Sequence, residues 1–144
     1  MNRDEQNKYM EMAIEMAVDS GTPFAAIIVN ENKEFISAVN SVRSDKDATA
    51  HAEINVIRKL KELKVSDSSK LTLVTTCEPC PMCMSAVIWA GIGKVVFGCS
   101  IDDIKDFKNQ IHISSGELAQ KSWYPVEING GIKRKECLTL FKQQ

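Results

Sequence analysis

The stretch LTLVTTCEPCPMCMSAVIWAGIGKVVFG, residues 71–98, decides the fold that we expect for this chain. Leu71 to Thr76 is rich in β-branched and apolar residues and predicts a strand. Pro79 suits the start of a helix, which we expect from Cys80 to about Ala90. Lys94 to Gly98 predicts a second strand. Such a strand–helix–strand unit implies a right-handed crossover and parallel strand pairing.

The sequence before this unit predicts further elements. The segment from about Asp4 to Ser20 has apolar residues at helical spacing and predicts an N-terminal helix. Phe24 to Asn30 and Glu34 to Asn40 are two β-rich stretches joined by a short polar turn, so they predict an antiparallel hairpin. We expect a second helix from His51 to about Leu63, because apolar residues recur along it at helical spacing.

The last third of the chain predicts shorter elements. Ser114, followed three residues later by a glutamate, forms a capping box for a helix that ends near Ser122. Val126 to Ile128 predicts a fifth strand, and Lys133 to Phe141 predicts a last helix. The hairpin and the parallel unit together predict an α/β fold with a mixed sheet and helices on both faces.

Composition predicts one soluble domain over residues 1–144. A chain of 144 residues with 44% apolar content can bury a sizeable core. It has no apolar run near 18 residues to span a membrane, and its polar N-terminus lacks the apolar segment of a secretory signal. Five cysteines, an odd number, fit a reducing compartment, so we expect a cytoplasmic protein.

The charge balance disfavours a nucleic-acid partner. The chain has 18 basic and 19 acidic residues, with a net charge of −1. Proteins that hold a polyanion through its phosphates need positive charge on the surface that they present. We therefore expect a small-molecule partner, with nucleic acid as an alternative.

Two short motifs carry groups that bind metal ions. HAE at 51–53 supplies an imidazole, and PCPMC at 79–83 supplies two thiols. Two thiolates and a neutral imidazole suit Zn²⁺ better than oxygen-preferring cations. Three protein ligands leave the fourth position of a tetrahedron open, as in catalytic zinc sites. His51, Cys80 and Cys83 are therefore predicted to hold a catalytic zinc ion.

Glu53 is the acidic residue that this assignment leaves free. On a helix it points roughly 200° away from His51 around the axis, so it is not expected to bind the same ion. If the start of the helix faces the metal, the Glu53 carboxyl group lies beside a zinc-bound water. It would then take a proton from the water and return it to the substrate, which is general acid and base catalysis.

Other interpretations of the cysteines stay open. Cys77 could join the three predicted ligands in a closed structural site, and the C-x-x-C pair could be a redox dithiol. The structural site has no use for Glu53, and the redox pair has no use for His51. A zinc-stabilised binding module is the non-enzymatic alternative.

The two motifs together resemble those of the cytidine deaminase-like zinc aminohydrolases, whose signature joins H-x-E with P-C-x-x-C. The resemblance runs roughly from Tyr9 to Phe141 and includes PFAA at 23–26, TAHAE at 49–53 and TCEPCPMC at 76–83. Within that superfamily the chain looks most like guanine deaminases and tRNA adenosine deaminases. The resemblance implies a three-layer α/β/α sandwich around a mixed five-stranded sheet.

The resemblance also implies hydrolytic deamination of a ring that carries an exocyclic amine, with release of ammonia. The three predicted ligands would hold Zn²⁺, and Glu53 would transfer the protons. By the same resemblance, Asn40 and the backbone amide of Ala52 would hydrogen-bond the substrate. The family further suggests a homodimer.

Phe24 bears on which ring is the substrate. In guanine deaminases a Pro-Phe pair at this place sets an aromatic ring against the base, whereas the tRNA enzymes typically have a smaller aliphatic residue there. Phe24 therefore favours a free nucleobase or nucleoside, with a purine such as guanine first. The segment after Gly98 lacks the Gly-Phe-Asp-Asp type sequence of guanine deaminases, although Asp102 and Asp103 lie in that region.

Two other substrates are alternatives. The segment from Val126 to Cys137 resembles the tail of tRNA adenosine deaminases, which would convert adenosine to inosine in tRNA. Those enzymes generally end in a more basic helix. In this sequence the residues from Leu138 to Gln144 include one lysine, Lys142, and no arginine. Cytosine or another small amine is the second alternative.

Overall fold

A five-stranded sheet lies between two layers of helices in the computed structural model, which describes residues 1–143. The strands are β1 (Ala25–Val29), β2 (Phe35–Val39), β3 (Thr72–Cys77), β4 (Lys94–Cys99) and β5 (Glu127–Asn129). The α-helices are α1 (Arg3–Ser20), α2 (Val42–Asp45), α3 (Ala52–Ile57), α4 (Pro81–Ala90), α5 (Ser115–Gln120) and α6 (Arg134–Lys142). None of these helices has the length and the apolar character that crossing a membrane would require.

The sheet is mixed, and one strand runs against the others. The order is β2-β1-β3-β4-β5, with β1 antiparallel to both of its neighbours and with β3, β4 and β5 parallel. The predicted hairpin and the predicted parallel unit are both confirmed. As a result, the carboxyl ends of β2, β3 and β4 lie at the same edge of the sheet as the start of β1.

Alternate side chains of each strand enter two separate hydrophobic cores. On β1, Ala25 and Ile27 pack in the core that includes residues of α1 and α6. Ala26 and Ile28 pack in the opposite core, together with residues of α3 and α4. Helices therefore cover both faces, which confirms the three-layer sandwich.

The helix predicted from His51 to about Leu63 is shorter than expected. Regular α-helix spans Ala52–Ile57, and a 3₁₀ turn follows at Leu60–Glu62. The apolar residues of this stretch recur every three positions, a spacing that a 3₁₀ turn with three residues per turn also keeps on one face. The spacing therefore identified the buried face but not where the α-helix ends. The short helix α2 had no signal in the sequence that we recognised.

Candidate active site

The reversed direction of β1 brings three segments to one edge of the sheet. Phe24 precedes β1, Asn40 follows β2, and Cys80 lies three residues beyond the end of β3. The backbone N–H of Asn40 donates to the carbonyl oxygen of Phe24 at 3.1 Å. Ligands of open α/β sheets bind outside the carboxyl ends of the strands, so this edge is where a site is expected.

His51 and Cys80 cap two helices that approach this edge. His51 is the N-cap of α3 and Cys80 is the N-cap of α4, both with extended backbone angles. Pro81 occupies the first position of α4, where its missing N–H leaves no helix bond unmade. The first N–H groups of each helix have no intrahelical partner, and they favour negative charge such as thiolate.

The three predicted ligands lie together at the spacing of a tetrahedral zinc site. His51 Nδ1 lies 3.5 Å from Cys83 Sγ and 3.6 Å from Cys80 Sγ. Bonds of about 2.3 Å to sulfur and about 2.1 Å to nitrogen, at tetrahedral angles, set these atoms about 3.6 Å apart. Potential ligand atoms of all three residues lie within 4.8 Å of one another. The residues therefore fit Zn²⁺ with one position open.

Backbone N–H groups support the two sulfur atoms. The N–H of Cys83 donates to Cys80, and the N–H of Ile54 donates to Cys83. Hydrogen bonds from Cys83 and His51 lower the pKa of Cys80 to about 4, so its thiolate is available at neutral pH. The hydrogen bond to Cys80 raises the pKa of the Cys83 thiol, so a binding cation must displace its proton.

Glu53 lies in the first turn of α3, beside the metal-ligand group. It is only 5% exposed, and its carboxyl group is in hydrogen-bonding contact with Cys83. Burial raises the pKa of Glu53 to about 7. A group with a pKa near the working pH can accept and return a proton with similar ease. The arrangement therefore suits a proton carrier next to the open metal position.

Cys77 is not part of the metal-ligand group, so it does not serve as a fourth ligand. It lies at the end of β3, 3% exposed, opposite Cys99 in the register of the parallel pair. A hydrogen bond with Cys99, together with burial, raises the pKa of its thiol well above the usual value. The ligand cluster comprises His51, Cys80 and Cys83 among residues 1–143. The closed structural site is therefore not formed.

The predicted substrate-binding groups lie around the same edge. Asn40 Oδ1 accepts the N–H of Val42 at 3.0 Å, a bond that orients the side-chain amide and does not use its nitrogen. Ala52 is the first residue of α3, so its backbone N–H has no partner within the helix. Phe24 is half-buried, and its ring packs edge-on against Phe141 with the centroids 5.2 Å apart.

Asp103 is engaged in a structural link. Arg134 Nη2 donates to its Oδ1 at 2.6 Å, and Arg134 Nε and the N–H of Ser100 donate to its Oδ2 at 2.9 Å. The guanidinium group lowers the pKa of Asp103 to about 2. Asp102 is exposed and pairs with Lys105 at 3.5 Å. Asp103 therefore joins the start of α6 to the segment after β4.

Glu78 is a residue near the site that the sequence analysis missed. It is 8% exposed, and its Oε1 accepts the N–H of Ile101 at 3.0 Å. Its Oε2 accepts the N–H and the hydroxyl of Ser115 at 2.8 and 2.7 Å. One carboxylate therefore holds the turn before Cys80 to both ends of the segment 101–115. The sequence signal that could have identified Glu78 is its position between an apolar strand and a proline, where an acidic residue needs hydrogen-bond partners.

Residues 3–99 of this chain match the family model of the cytidine and deoxycytidylate deaminase zinc-binding region. This match covers more than half of the chain, and the chain belongs to that family of zinc-dependent deaminases. The family is enzymatic, so the non-catalytic binding module is set aside.

Relatives with three different substrates resemble this chain. It is 32% identical over 140 residues to a probable cytosine deaminase of Schizosaccharomyces pombe, which covers 90% of this chain and 86% of the relative. It is 34% identical over 143 residues to the tRNA-specific adenosine deaminase of Buchnera aphidicola, at 94% and 89% coverage. It is 38% identical over 101 residues to the guanine deaminase of Bacillus subtilis, at 66% and 65% coverage.

Solved structures share the fold. The guanine deaminase of Nitrosomonas europaea superposes with a TM-score of 0.75 at 23% identity, covering 99% of this chain and 84% of that chain. A structure from a study of tRNA:A34 deaminases gives a TM-score of 0.71 at 25% identity, covering 90% and 93%. The fold is therefore common to enzymes that act on different substrates.

Replacing Glu78 with Gln should destabilise the protein by about 1–3 kcal/mol, because an amide NH₂ would face N–H donors that now bond a carboxylate. Urea unfolding measures this loss. Glu127→Gln is the matched control, since Glu127 is 72% exposed and pairs with Lys94 at 3.7 Å. The control should change stability by less than about 0.5 kcal/mol. Equal effects of the two substitutions would show that Glu78 is not a structural link.

Proposed function

We propose that this deaminase acts on a free nucleobase or nucleoside, with a purine such as guanine first, and that residues 1–144 form a single deaminase domain. The observation that carries the proposal is a buried carboxyl group, Glu53, beside a three-ligand metal group with an open position. A cytoplasmic location stays a prediction, which the unpaired thiols of all five cysteines favour.

His51, Cys80 and Cys83 would hold the zinc ion in this reaction. When bound, Zn²⁺ lowers the pKa of a water ligand to about 7. Glu53 would take one proton from the attacking water and pass it to a ring nitrogen, and it would then pass the remaining hydroxyl proton to the departing amine. A carbon–oxygen bond forms, the bond to the exocyclic nitrogen breaks, and ammonia leaves.

Three groups at the sheet edge would bind the ring. The Asn40 amide nitrogen and the Ala52 backbone N–H are hydrogen-bond donors, which suit the acceptor atoms of a nucleobase. Phe24 offers an aromatic face on which a base can stack. Because aromatic stacking tolerates every base, these groups favour a nucleobase as the class of substrate. The preference for a purine comes from the resemblance of the Pro-Phe pair to guanine deaminases.

Transfer RNA is the second candidate. The similarity to a tRNA-specific adenosine deaminase extends over 94% of this chain, further than the similarity to the guanine deaminase. Against it stand Phe24 and the net charge of −1, which offers little general attraction for a polyanion. Cytosine is the third candidate, because a probable cytosine deaminase covers 90% of the chain.

Glu53→Gln should leave the fold and the bound zinc intact but reduce turnover by at least about 100-fold, because the proton carrier is lost. Cys83→Ala should instead lose the metal and stability, since metal binding and folding are coupled. Zinc content, thermal unfolding and ammonia release measure these effects. Glu62→Gln, on the exposed turn after α3, is the control. Full activity of Glu53→Gln would contradict the mechanism.

The substrate is tested by ammonia release from guanine, guanosine, adenine, adenosine, cytosine and cytidine, with inosine formation measured in a tRNA anticodon hairpin. We expect turnover of a free purine, and we expect Phe24→Leu to raise its KM several-fold because stacking on the ring is worth about 1–3 kcal/mol per base. Activity on the hairpin alone would assign the protein to tRNA. Activity on cytosine alone would assign it to pyrimidines.

We also propose a homodimer, on the basis of an apolar surface formed by α4, α5 and the turn that follows α5. Trp89 and Trp123 are 77% and 67% exposed, and their rings contact each other with the centroids 4.8 Å apart. They line a groove of about 360 Å³ that Glu117 and Lys121 also border.

Sedimentation equilibrium should give twice the chain mass of 16.0 kDa. Trp89→Glu should give the monomer, because it places an unpaired charge in an apolar interface. Val18→Glu is the control, since Val18 is 60% exposed on α1. A monomeric native protein, or an unchanged mass in Trp89→Glu, would contradict this interface.

A further inference from the structure

The side-chain amide of Asn55 joins three parts of the chain that surround the candidate site. Its Nδ2 donates to the carbonyl oxygen of Val39 at 2.9 Å, to the hydroxyl oxygen of Ser41 at 2.9 Å and to the carbonyl oxygen of Ala50 at 3.3 Å. Val39 and Ser41 flank the proposed substrate-binding asparagine, and Ala50 precedes the proposed histidine ligand. One amide group therefore spans both sides of the site.

Asn55 is itself fixed to the metal side of this arrangement. It lies on α3, and its backbone N–H donates to the carbonyl oxygen of His51 at 2.9 Å. Across the loop, the N–H of Ser41 donates to the carbonyl oxygen of Ala50 at 2.9 Å. Asn40 is held on the other side, where its N–H bonds Phe24 at 3.1 Å. The Asn55 amide connects these two sides directly.

The connection matters because the bonds within the loop between the two sides are mostly local, such as those from Ser41 to Asp45 and from Thr49 to Asp47. Residues 43–46 are exposed, as are residues 48 and 49, and exposed backbone loses conformational freedom when it is fixed. A half-buried amide whose two N–H groups are shared among three acceptors offsets part of the entropy lost when the loop is fixed. Without the donors, Asn40 and His51 would keep their local contacts and the Ser41–Ala50 bond, but the three side-chain contacts that also join the two sides would be lost.

We propose that Asn55 is a positioning residue that fixes Asn40 relative to His51, so that both metal affinity and substrate affinity depend on it. The part that concerns substrate rests on the proposed function of Asn40. The part that concerns metal does not, because zinc affinity can be measured without any substrate.

Asn55→Asp is the most direct test, because it keeps the shape of the side chain and replaces the donor with oxygen atoms that face three acceptors. Asn55→Ser keeps one donor and serves if the aspartate variant does not fold. Zinc affinity is measured by competition with a chelator, and loop order by hydrogen exchange at the N–H of Ser41. Michaelis constants are then measured with the substrate found in the panel.

Asn30→Ala is the matched control. Asn30 lies at the opposite end of the same hairpin, and its Nδ2 donates to Glu34 Oε1 and to the carbonyl oxygen of Lys64, each at 3.1 Å. It is 7% exposed, so its loss should destabilise the protein by a similar mechanism. It is remote from the edge that carries the site.

We expect Asn55→Asp to weaken zinc binding about tenfold, in the range that loss of outer contacts gives, and to raise KM severalfold. Exchange at Ser41 should accelerate in step with the loss of zinc affinity. Native zinc affinity and native exchange in both Asn55 variants would overturn the proposal, as would equal losses in Asn30→Ala. Weaker zinc binding with an unchanged KM would overturn the part of the proposal that concerns substrate and support the part that concerns metal.

Discussion

The approach of one imidazole to two thiols is the constraint on which the rest of this structure depends. His51 Nδ1 lies 3.5 and 3.6 Å from the two sulfur atoms, although the residues belong to different helices. Both helices must therefore begin at the same place, and the strands that precede them must end at the same edge. Two neighbouring thiolates repel each other. Helix N-termini, backbone N–H groups and a bound cation would each stabilise their negative charge.

Buried and half-buried polar side chains keep the loops around this site in place. Glu78 joins the turn before Cys80 to the segment after β4, and Asn55 joins the loop after β2 to α3. Thr76 acts in the same way at the start of β1, where its hydroxyl donates to the carbonyl oxygen of Pro23 at 2.8 Å. Throughout residues 1–143, each buried side-chain nitrogen or oxygen has a hydrogen-bond partner. Loops that carry functional groups are thus ordered by specific bonds rather than by apolar packing alone.

The family shares its reaction more closely than its substrate. In the proposed reaction, the metal ligands and Glu53 would act on the water and the leaving amine, which every hydrolytic deamination of a ring has in common. The ring itself would meet Asn40, Ala52 and Phe24, and few side chains are enough to change which ring fits. This division explains how relatives of 32–38% identity can carry the names of three different deaminases.

Much of the architecture could be predicted from local pattern. The strands, the hairpin and the parallel unit follow from apolar periodicity and turn residues, and the metal ligands follow from residue type and spacing. The end of α3 could not be predicted, because a spacing of three fits both an α-helix and a 3₁₀ turn. The exposed Trp89 was also ambiguous, since an apolar helix residue can face a core or a partner.

The sequence by itself determined which residues can bind zinc and which strands pair in parallel, and it gave the hypothesis that the Glu53 carboxyl group carries protons. Only the tertiary structure decided that Cys77 stays outside the metal group, that Asp103 is occupied by Arg134, and that Glu78 and Asn55 support the site. The physical reason is the separation of the interacting residues along the sequence. Ligand type and periodicity are properties of neighbouring residues, whereas these hydrogen bonds join residues from 14 to 37 positions apart, which only the folded chain brings together.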